Sequence, residues 1–372
     1  MKICYLADWR SIHTLRWIKF FAERHDVDLI SLDYSKNNAR LFGPDEYEKL
    51  GVRVHLVGRE GAERFSTPFK VRGLIKKIQP DIVHSHYASH YGFLGAFSGF
   101  HPLVITAWGS DVLIEPQESF SKNFQVKYAL KRGDLFTCDG ENTAIKLAEL
   151  GANKDRIARI YFGVDTTNVN PNKSNPELFK KYLKDKSSLV ILNIRGFSSV
   201  YDPDAFINAI PLVLTSFPNT VFAMAREGEE RKKYMEKVKD MGIEQSVAFI
   251  GNIPSVDMPS FLASADIYVS MSVSDSGISA ATAEAMASGV PVISTNVADI
   301  GLWVKDGQNG FVIPKGSSQD LADRLNYLLS NENVRKSMGQ EARRTIVERQ
   351  DYRTEMAKMG SIYMRLVEEG KK

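Results

Sequence analysis

At 372 residues the chain is too long for one ordinary core, so two domains are expected. A composition of 43% hydrophobic and 25% charged residues is that of a globular protein, and a net charge of +3 argues against nucleic-acid partners, which need clustered Lys and Arg. The two cysteines, Cys4 and Cys138, lie near apolar stretches and read as buried thiols, and the chain has neither a signal-peptide core nor a run of about 18 apolar residues, so a cytoplasmic location is expected.

Lys2–Ala7 reads as a strand, with Trp9-Arg10-Ser11 as the loop after it. Thr14–Arg24 carries Leu15, Ile18, Phe21 and Ala22 at helical spacing. Val27–Leu32 and Val52–Leu56 read as further strands, which gives an α/β start with a parallel sheet. His13 stands near the helix start, beyond the first strand. It is either a ligand-facing residue or a helix-end residue bonded to backbone. The segment 58–77 holds Arg59, Arg64, Lys70, Arg72, Lys76 and Lys77. Its plain reading is a solvated face; its sharper reading is a peripheral contact of the N-terminal domain with anionic lipid, on the inner face of a membrane, or with an anionic acceptor.

Asp81–His86 is a strand that ends in His86. Gly92 and Gly95 let the apolar helix after it pack tightly. Leu103–Ala107 is a strand that runs into Trp108-Gly109-Ser110-Asp111. Asp134–Asp139 is another, followed by a helix over Glu141–Leu150 that Gly151 closes. Ile160–Asp165 leads to a polar stretch, Thr166–Asn175, which has no periodicity and marks the domain boundary. The second domain opens on Leu189–Ile194 and Arg195-Gly196-Phe197. Asp202-Pro203-Asp204 resembles a metal-binding Asp-x-Asp pair, but Asp202 suits an N-cap, Pro203 the N1 position and Asp204 the positive helix end. Strands follow at Val221–Ala225, Val247–Ile250 and Ala265–Val269. Asp306–Phe311 reads as a turn and a strand, and two helices close the chain, the last over Met356–Glu369.

The stretch Ser270–Ser294 carries the chemistry. A strand ends near Ser270, a polar loop with Gly277 follows, then a short Ala-rich helix over Ser279–Ser288, then a strand from Val290. The loop before that helix suits an anion, because unpaired amides and the helix dipole meet there. Ala280 and Glu284 share a helix face, and side chains lean toward the N-terminus, so the Glu284 carboxylate can reach the loop. Amides for a phosphate beside a carboxylate for a ribose fit this arrangement; a solvated Glu284 on a packed helix fits it as well.

This stretch resembles the signature of GT-B glycosyltransferases of family GT4, at Gly277, Glu284-Ala285-Met286-Ala287, Gly289 and Pro291-Val292. The Asp-x-Val-His-x-His strand, Gly109 and Asp111, the Gly163-Val164-Asp165 turn and Arg195 also match, in family order over nearly the whole chain. The resemblance implies two Rossmann-like, doubly wound parallel-sheet domains facing a cleft, 1–165 and 166–352, with residues 353–372 crossing back. It implies a retaining, metal-independent transfer of a sugar from a nucleotide-sugar donor to a glycan, lipid-linked or small-molecule acceptor, with no cofactor, in a setting such as polysaccharide biosynthesis. Arg195 would be catalytic on the pyrophosphate with Gly196 and the amides of Gly277, Ile278 and Ser279. Glu284 would hold the ribose, Asp275 or Ser276 the donor sugar, and Asn252 and Ile253 the nucleobase. His13, His86, Trp108 and Asp111 would line the acceptor side.

The chain departs from the family where Ser276 replaces a Glu, Val200 a Lys, Trp108 a His and Arg226 the first Gly of a Gly-x-Gly. Arg226 reads as an added cation or as a surface ion pair, and Trp108 as a sugar cover or a packing residue. A sugar-nucleotide 2-epimerase and a nucleotide-sugar-binding protein without catalysis stand as alternatives.

Overall fold

The computed structural model describes residues 1–33, 43–58, 63–180, 188–228, 230–275 and 277–370, with the side chains of 63 and 64 left aside. The chain divides into two compact units, Met1–Phe162 with Arg353–Lys372, and Gly163–Tyr352.

The first unit is built on seven strands: β1 (Lys2–Leu6), β2 (Asp26–Leu32), β3 (Arg53–Val57), β4 (Ile82–His86), β5 (Leu103–Thr106), β6 (Leu135–Cys138) and β7 (Ile157–Arg159). They pair in parallel in the order β3-β2-β1-β4-β5-β6-β7. Parallel strands buried on both faces need apolar residues throughout, which is why β1 reads Lys-Ile-Cys-Tyr-Leu without alternation. Cys4 and Leu6 face one core with Val71, Ile75, Leu94, Val126 and Ala129 of three helices, Glu63–Ile78, His90–Ser98 and Phe120–Arg132. Tyr5, on the opposite face, meets Phe21 of the helix Ile12–Ala22, and Phe21 meets Tyr363 of the helix Tyr352–Glu369. Tight packing at Gly95 is borne out. A Cβ there would stand 2.4 Å from Ser85 Oγ, so only glycine lets this helix lie against β4.

The second unit has six strands: β8 (Val190–Asn193), β9 (Val221–Ala225), β10 (Val247–Gly251), β11 (Ile267–Ser270), β12 (Val292–Thr295) and β13 (Gly310–Ile313). All pair in parallel in the order β10-β9-β8-β11-β12-β13. Asp202 caps the helix Pro203–Leu214, its Oδ1 accepting the Ala205 amide at 3.1 Å. Asp204 is tied to Lys237 and Tyr234 of the next helix.

The C-terminal region corrects one expectation. Three helices follow β13, not two: Ser318–Ser330, Glu332–Arg349 and Tyr352–Glu369. Asn331 interrupts the first pair with a non-helical backbone (φ −127°, ψ 79°) that the helical periodicity on either side does not announce. The sequence reading also passed over the helices Phe120–Arg132 and Arg231–Asp240, whose exposed faces blur the apolar spacing. No helix among the described residues is long and apolar enough to cross a membrane.

Candidate active site

In the second unit the strand order reverses between β8 and β11, and an open parallel sheet takes ligands beyond the strand ends at such a point. Asn193 ends β8, and its Oδ1 accepts the Arg195 amide at 3.1 Å. Gly196 follows with φ +91°, a conformation that disfavours any side chain. The Arg195 guanidinium crosses the gap to the segment after β11. Its Nη2 donates to both Asp275 oxygens at 2.8 and 3.0 Å, and its Nε to Ser272 Oγ at 3.2 Å. One face of the guanidinium lies 4.6 Å from the centre of the Tyr201 ring. Nη1 has no hydrogen-bond partner among the described residues. Arg195 is therefore held on three sides with one donor edge open. The two side chains of the pair are only 12% and 20% exposed, so removing either strands a poorly solvated charge.

The helix Ala280–Ala287 starts beside this pair. Its N-cap Ser279 accepts the Thr282 amide at 3.2 Å, and Gly277 and Ile278 before it are buried. Glu284 is 8% exposed, so the solvated reading of this residue fails. Burial pushes the Tyr268 hydroxyl up to about 12, and Arg195, Asp275 and Glu284 all lie close enough to act on it. These charged groups thus gather over one buried tyrosine. Ser276, the alternative to Asp275, lies outside the described residues. So does Arg59.

A pocket of about 480 Å³ opens beside Arg195, lined by Gly196, Phe197, Ser198, Tyr201, Arg226 and Ala281 among others. Arg226 forms no ion pair among the described residues, which corrects the surface-pair reading. Its amide donates to Gly251 O at 2.6 Å and its Nε to Ile194 O at 3.2 Å, at a φ of +94° that is strained for an arginine. Asn252 Oδ1 accepts the Glu227 amide at 3.2 Å, which ties the loop after β10 to the loop after β9; Ile253 beside it is half-buried.

The first unit reverses its order between β1 and β4, and rings collect there. His13, second in its helix, packs on Trp108 and Phe162 with centroids 5.2 and 4.7 Å apart. His86, at the end of β4, lies 5.4 Å from Trp108 and 5.1 Å from Trp17. Both His86 ring nitrogens, His13 Nδ1 and Trp108 Nε1 are buried with no hydrogen-bond partner among the described residues. Below them His84 Nδ1 pairs with the Tyr363 hydroxyl, which bonds Tyr5 at 3.0 Å, and His84 Nε2 pairs with Thr106 Oγ1 at 2.6 Å. Burial lowers His13 to about 4 and His86 to about 3, and holds His84 well below the usual imidazole range.

Asp111 plays a different part from the ring residues. It is fully buried, and its oxygens accept the amides of Ala88 at 2.5 Å and Trp108 at 3.0 Å. Burial raises it to about 6 against those amides. It braces the loop after β5 against the loop after β4, and so sets Trp108 in place.

Sequence reasoning missed Ser272, Phe162, Trp17, His84 and Tyr363. Only His84 carried a legible signal: it is two residues before His86 on a strand, hence on the same face.

The chain matches two family descriptions. "Glycosyl transferases group 1" covers residues 174–345 and "Glycosyl transferase 4-like" covers residues 2–140. It is 24% identical over 336 residues to the N-acetyl-alpha-D-glucosaminyl L-malate synthase of Bacillus anthracis, covering 89% of this chain and 87% of that protein. It is 27% identical over 322 residues to an uncharacterized glycosyltransferase of Methanocaldococcus jannaschii, covering 85% and 84%. In fold it is similar to Anabaena HepE, solved in complex with UDP-glucose, with a TM-score of 0.80 at 17% identity, covering 98% of this chain and 100% of that one. The sucrose-phosphate synthase of Thermosynechococcus elongatus gives a TM-score of 0.76 at 15% identity, with 98% and 99% covered.

The ring cluster makes a pH prediction. His13 and His86 titrate below their ordinary 6.5 in the folded chain, so the unfolded chain takes up these protons first. Their contribution is fully present above pH 6.5 and is lost as pH falls, down to about 4 for His13 and about 3 for His86. Imidazole NMR signals of both residues are expected to stay neutral at about pH 5, well above their folded values. A midpoint near 6.5 for either would refute the burial that lowers it.

Proposed function

Because the chain belongs to the group 1 glycosyl transferases and has the GT-B fold, we propose that it transfers a sugar from a nucleotide-sugar donor to an acceptor hydroxyl, with retention of configuration and without a metal. The observation that carries this reading is Arg195, clamped at the β8–β11 reversal with its Nη1 edge open. In the transfer the bond from the sugar's anomeric carbon to the diphosphate oxygen breaks, and its electron pair stays on that oxygen. The acceptor oxygen bonds to the anomeric carbon on the face the diphosphate leaves, and the acceptor proton goes to the diphosphate. Negative charge grows on the diphosphate as the bond breaks. A pre-oriented guanidinium and the amides of Gly277, Ile278 and Ser279 meet that charge more strongly in the transition state than before it.

Glu284 takes the ribose hydroxyls and the loop at Asn252 and Ile253 the nucleobase. Asp275 orients Arg195 and faces the donor sugar. In the first unit His13, His86 and Trp108 form the acceptor side, with Asp111 as the brace behind Trp108. The unpartnered ring nitrogens are polar contacts for hydroxyls, and the flat rings suit the apolar face of a sugar. Of the relatives, HepE was solved with UDP-glucose, which supports a nucleotide-sugar donor here. Asp202 and Asp204 are engaged by the helix cap and by Lys237, which supports a reaction independent of a metal held by them.

Four measurements test the proposal. Arg195→Ala is expected to lower kcat by roughly a hundredfold, about 3 kcal/mol, with a smaller effect on donor affinity. Arg195→Lys should recover only part, because an ammonium lacks the planar fork that Asp275, Ser272 and Tyr201 hold. A near-normal kcat in Arg195→Ala would remove the diphosphate from this position. Glu284→Gln should weaken nucleotide binding by about 1–3 kcal/mol in calorimetry, through a lost charge-assisted bond; unchanged affinity would refute its ribose role. Turnover should continue in excess EDTA, and a loss that magnesium or manganese restores would overturn the metal-independent reading. Incubation with the donor alone distinguishes the epimerase reading, which requires an isomerised donor in the absence of acceptor.

A further inference from the structure

Two helices of the first unit repeat one surface pattern. Glu63–Ile78 places Phe65, Phe69, Arg72 and Lys76 at i, i+4, i+7 and i+11, and Phe120–Arg132 places Phe120, Phe124, Lys127 and Lys131 at the same spacing. That spacing follows one face of a helix. The four phenylalanines are 80%, 65%, 89% and 54% exposed, the most exposed in the described chain. The opposite faces of both helices, with Val71, Ile75, Val126 and Ala129, enter one core. Both exposed faces therefore look outward from the same helical layer.

The rings form a continuous path across that layer. Phe69 meets Phe97 at 5.2 Å, Phe97 meets Phe93 at 6.1 Å, Phe93 meets Tyr128 at 5.3 Å and Tyr128 meets Phe124 at 5.9 Å. Charge runs one way alongside. From Phe65 to Ile78 the chain has four basic residues and no acid, and from Phe120 to Arg132 again four and none. Glu118, just before the second helix, is answered by Lys122 at 2.7 Å.

We propose that this face is a docking surface for an anionic lipid bilayer, entered shallowly by Phe65, Phe69, Phe120 and Phe124 and held by the flanking cations. The charge selects the occupant. A second copy would set cations against cations. An anionic bilayer supplies both parts at once, apolar chains under the rings and phosphates around the lysines and arginines. The surface belongs to the first unit and the Arg195 pocket to the second, and the docking proposal stands independently of the proposed transfer.

Co-sedimentation of the full chain tests this, with vesicles of phosphatidylcholine and phosphatidylglycerol in equal parts against phosphatidylcholine alone. Binding is expected on the mixed vesicles, with loss as salt is raised. The double variants Phe65→Ser/Phe69→Ser and Phe120→Ser/Phe124→Ser should each lower partition by about tenfold or more. Lys76→Glu with Lys131→Glu should lower it at least as far. Thermal melting and nucleotide affinity should stay at wild-type values, since these side chains are exposed and distant in sequence from the donor residues. No binding of the native chain to the mixed vesicles overturns the proposal. So does binding that the variants leave unchanged, or a self-association in sedimentation that the serine variants abolish.

Discussion

Strand order is the constraint on which the rest of this structure depends. Each parallel sheet grows outward from a central strand in one direction and then restarts on the other side, because right-handed crossovers running one way place their helices on one face, and covering the other face requires the order to reverse. Helices before and after the restart leave on opposite faces. A gap then opens at the carboxyl ends of β1 and β4 in one unit and of β8 and β11 in the other. Arg195 and Asp275 border the second of these gaps, and His86 and Trp108 border the first.

The gaps are furnished in opposite ways. At β8–β11 the protein places a charge, Arg195, and surrounds it with a carboxylate, a hydroxyl and a ring face, so that the guanidinium is oriented before any ligand arrives. At β1–β4 it places imidazoles that burial keeps neutral, among aromatic rings. A growing negative charge calls for the first environment; a neutral hydroxyl compound with a flat apolar face calls for the second. The division of labour proposed for a sugar donor and its acceptor follows from this contrast in polarity.

The departures from the family pattern acquire physical reasons. Val200 leaves no lysine, but the ring of the next residue, Tyr201, lies 4.6 Å from the Arg195 guanidinium carbon and covers it on one side. Arg226 adds a cation to the pocket wall, anchored by its own amide and Nε to two carbonyls. Trp108 fills the place of the family's histidine as a ring, and the buried Asp111 holds its amide. An arginine at φ +94° stores backbone strain, and such strain persists where the surroundings enforce it.

Sequence alone determined much of this protein. Continuous apolar runs bounded by Gly, Asp and Pro placed the strands other than β7 within about two residues, since a strand buried on both faces has no other composition open to it; β7, three residues long and not buried, carried no such run and was passed over. The Asp202–Pro203 cap and the Ser279-led helix were legible because capping is local chemistry between neighbours. The family motif picked out Arg195 and Glu284 for the same reason: each belongs to a short segment of fixed spacing. Only the tertiary structure decided that Asp275 clamps Arg195, 80 residues away, and that Glu284 is buried. It alone brought His13, His86, Trp108 and Phe162 into one cluster, because those rings come from four separate segments. The Asn331 break and the paired phenylalanine faces were equally hidden. Periodicity records which face of a helix is apolar, whereas which face is covered depends on packing against residues far away in the chain.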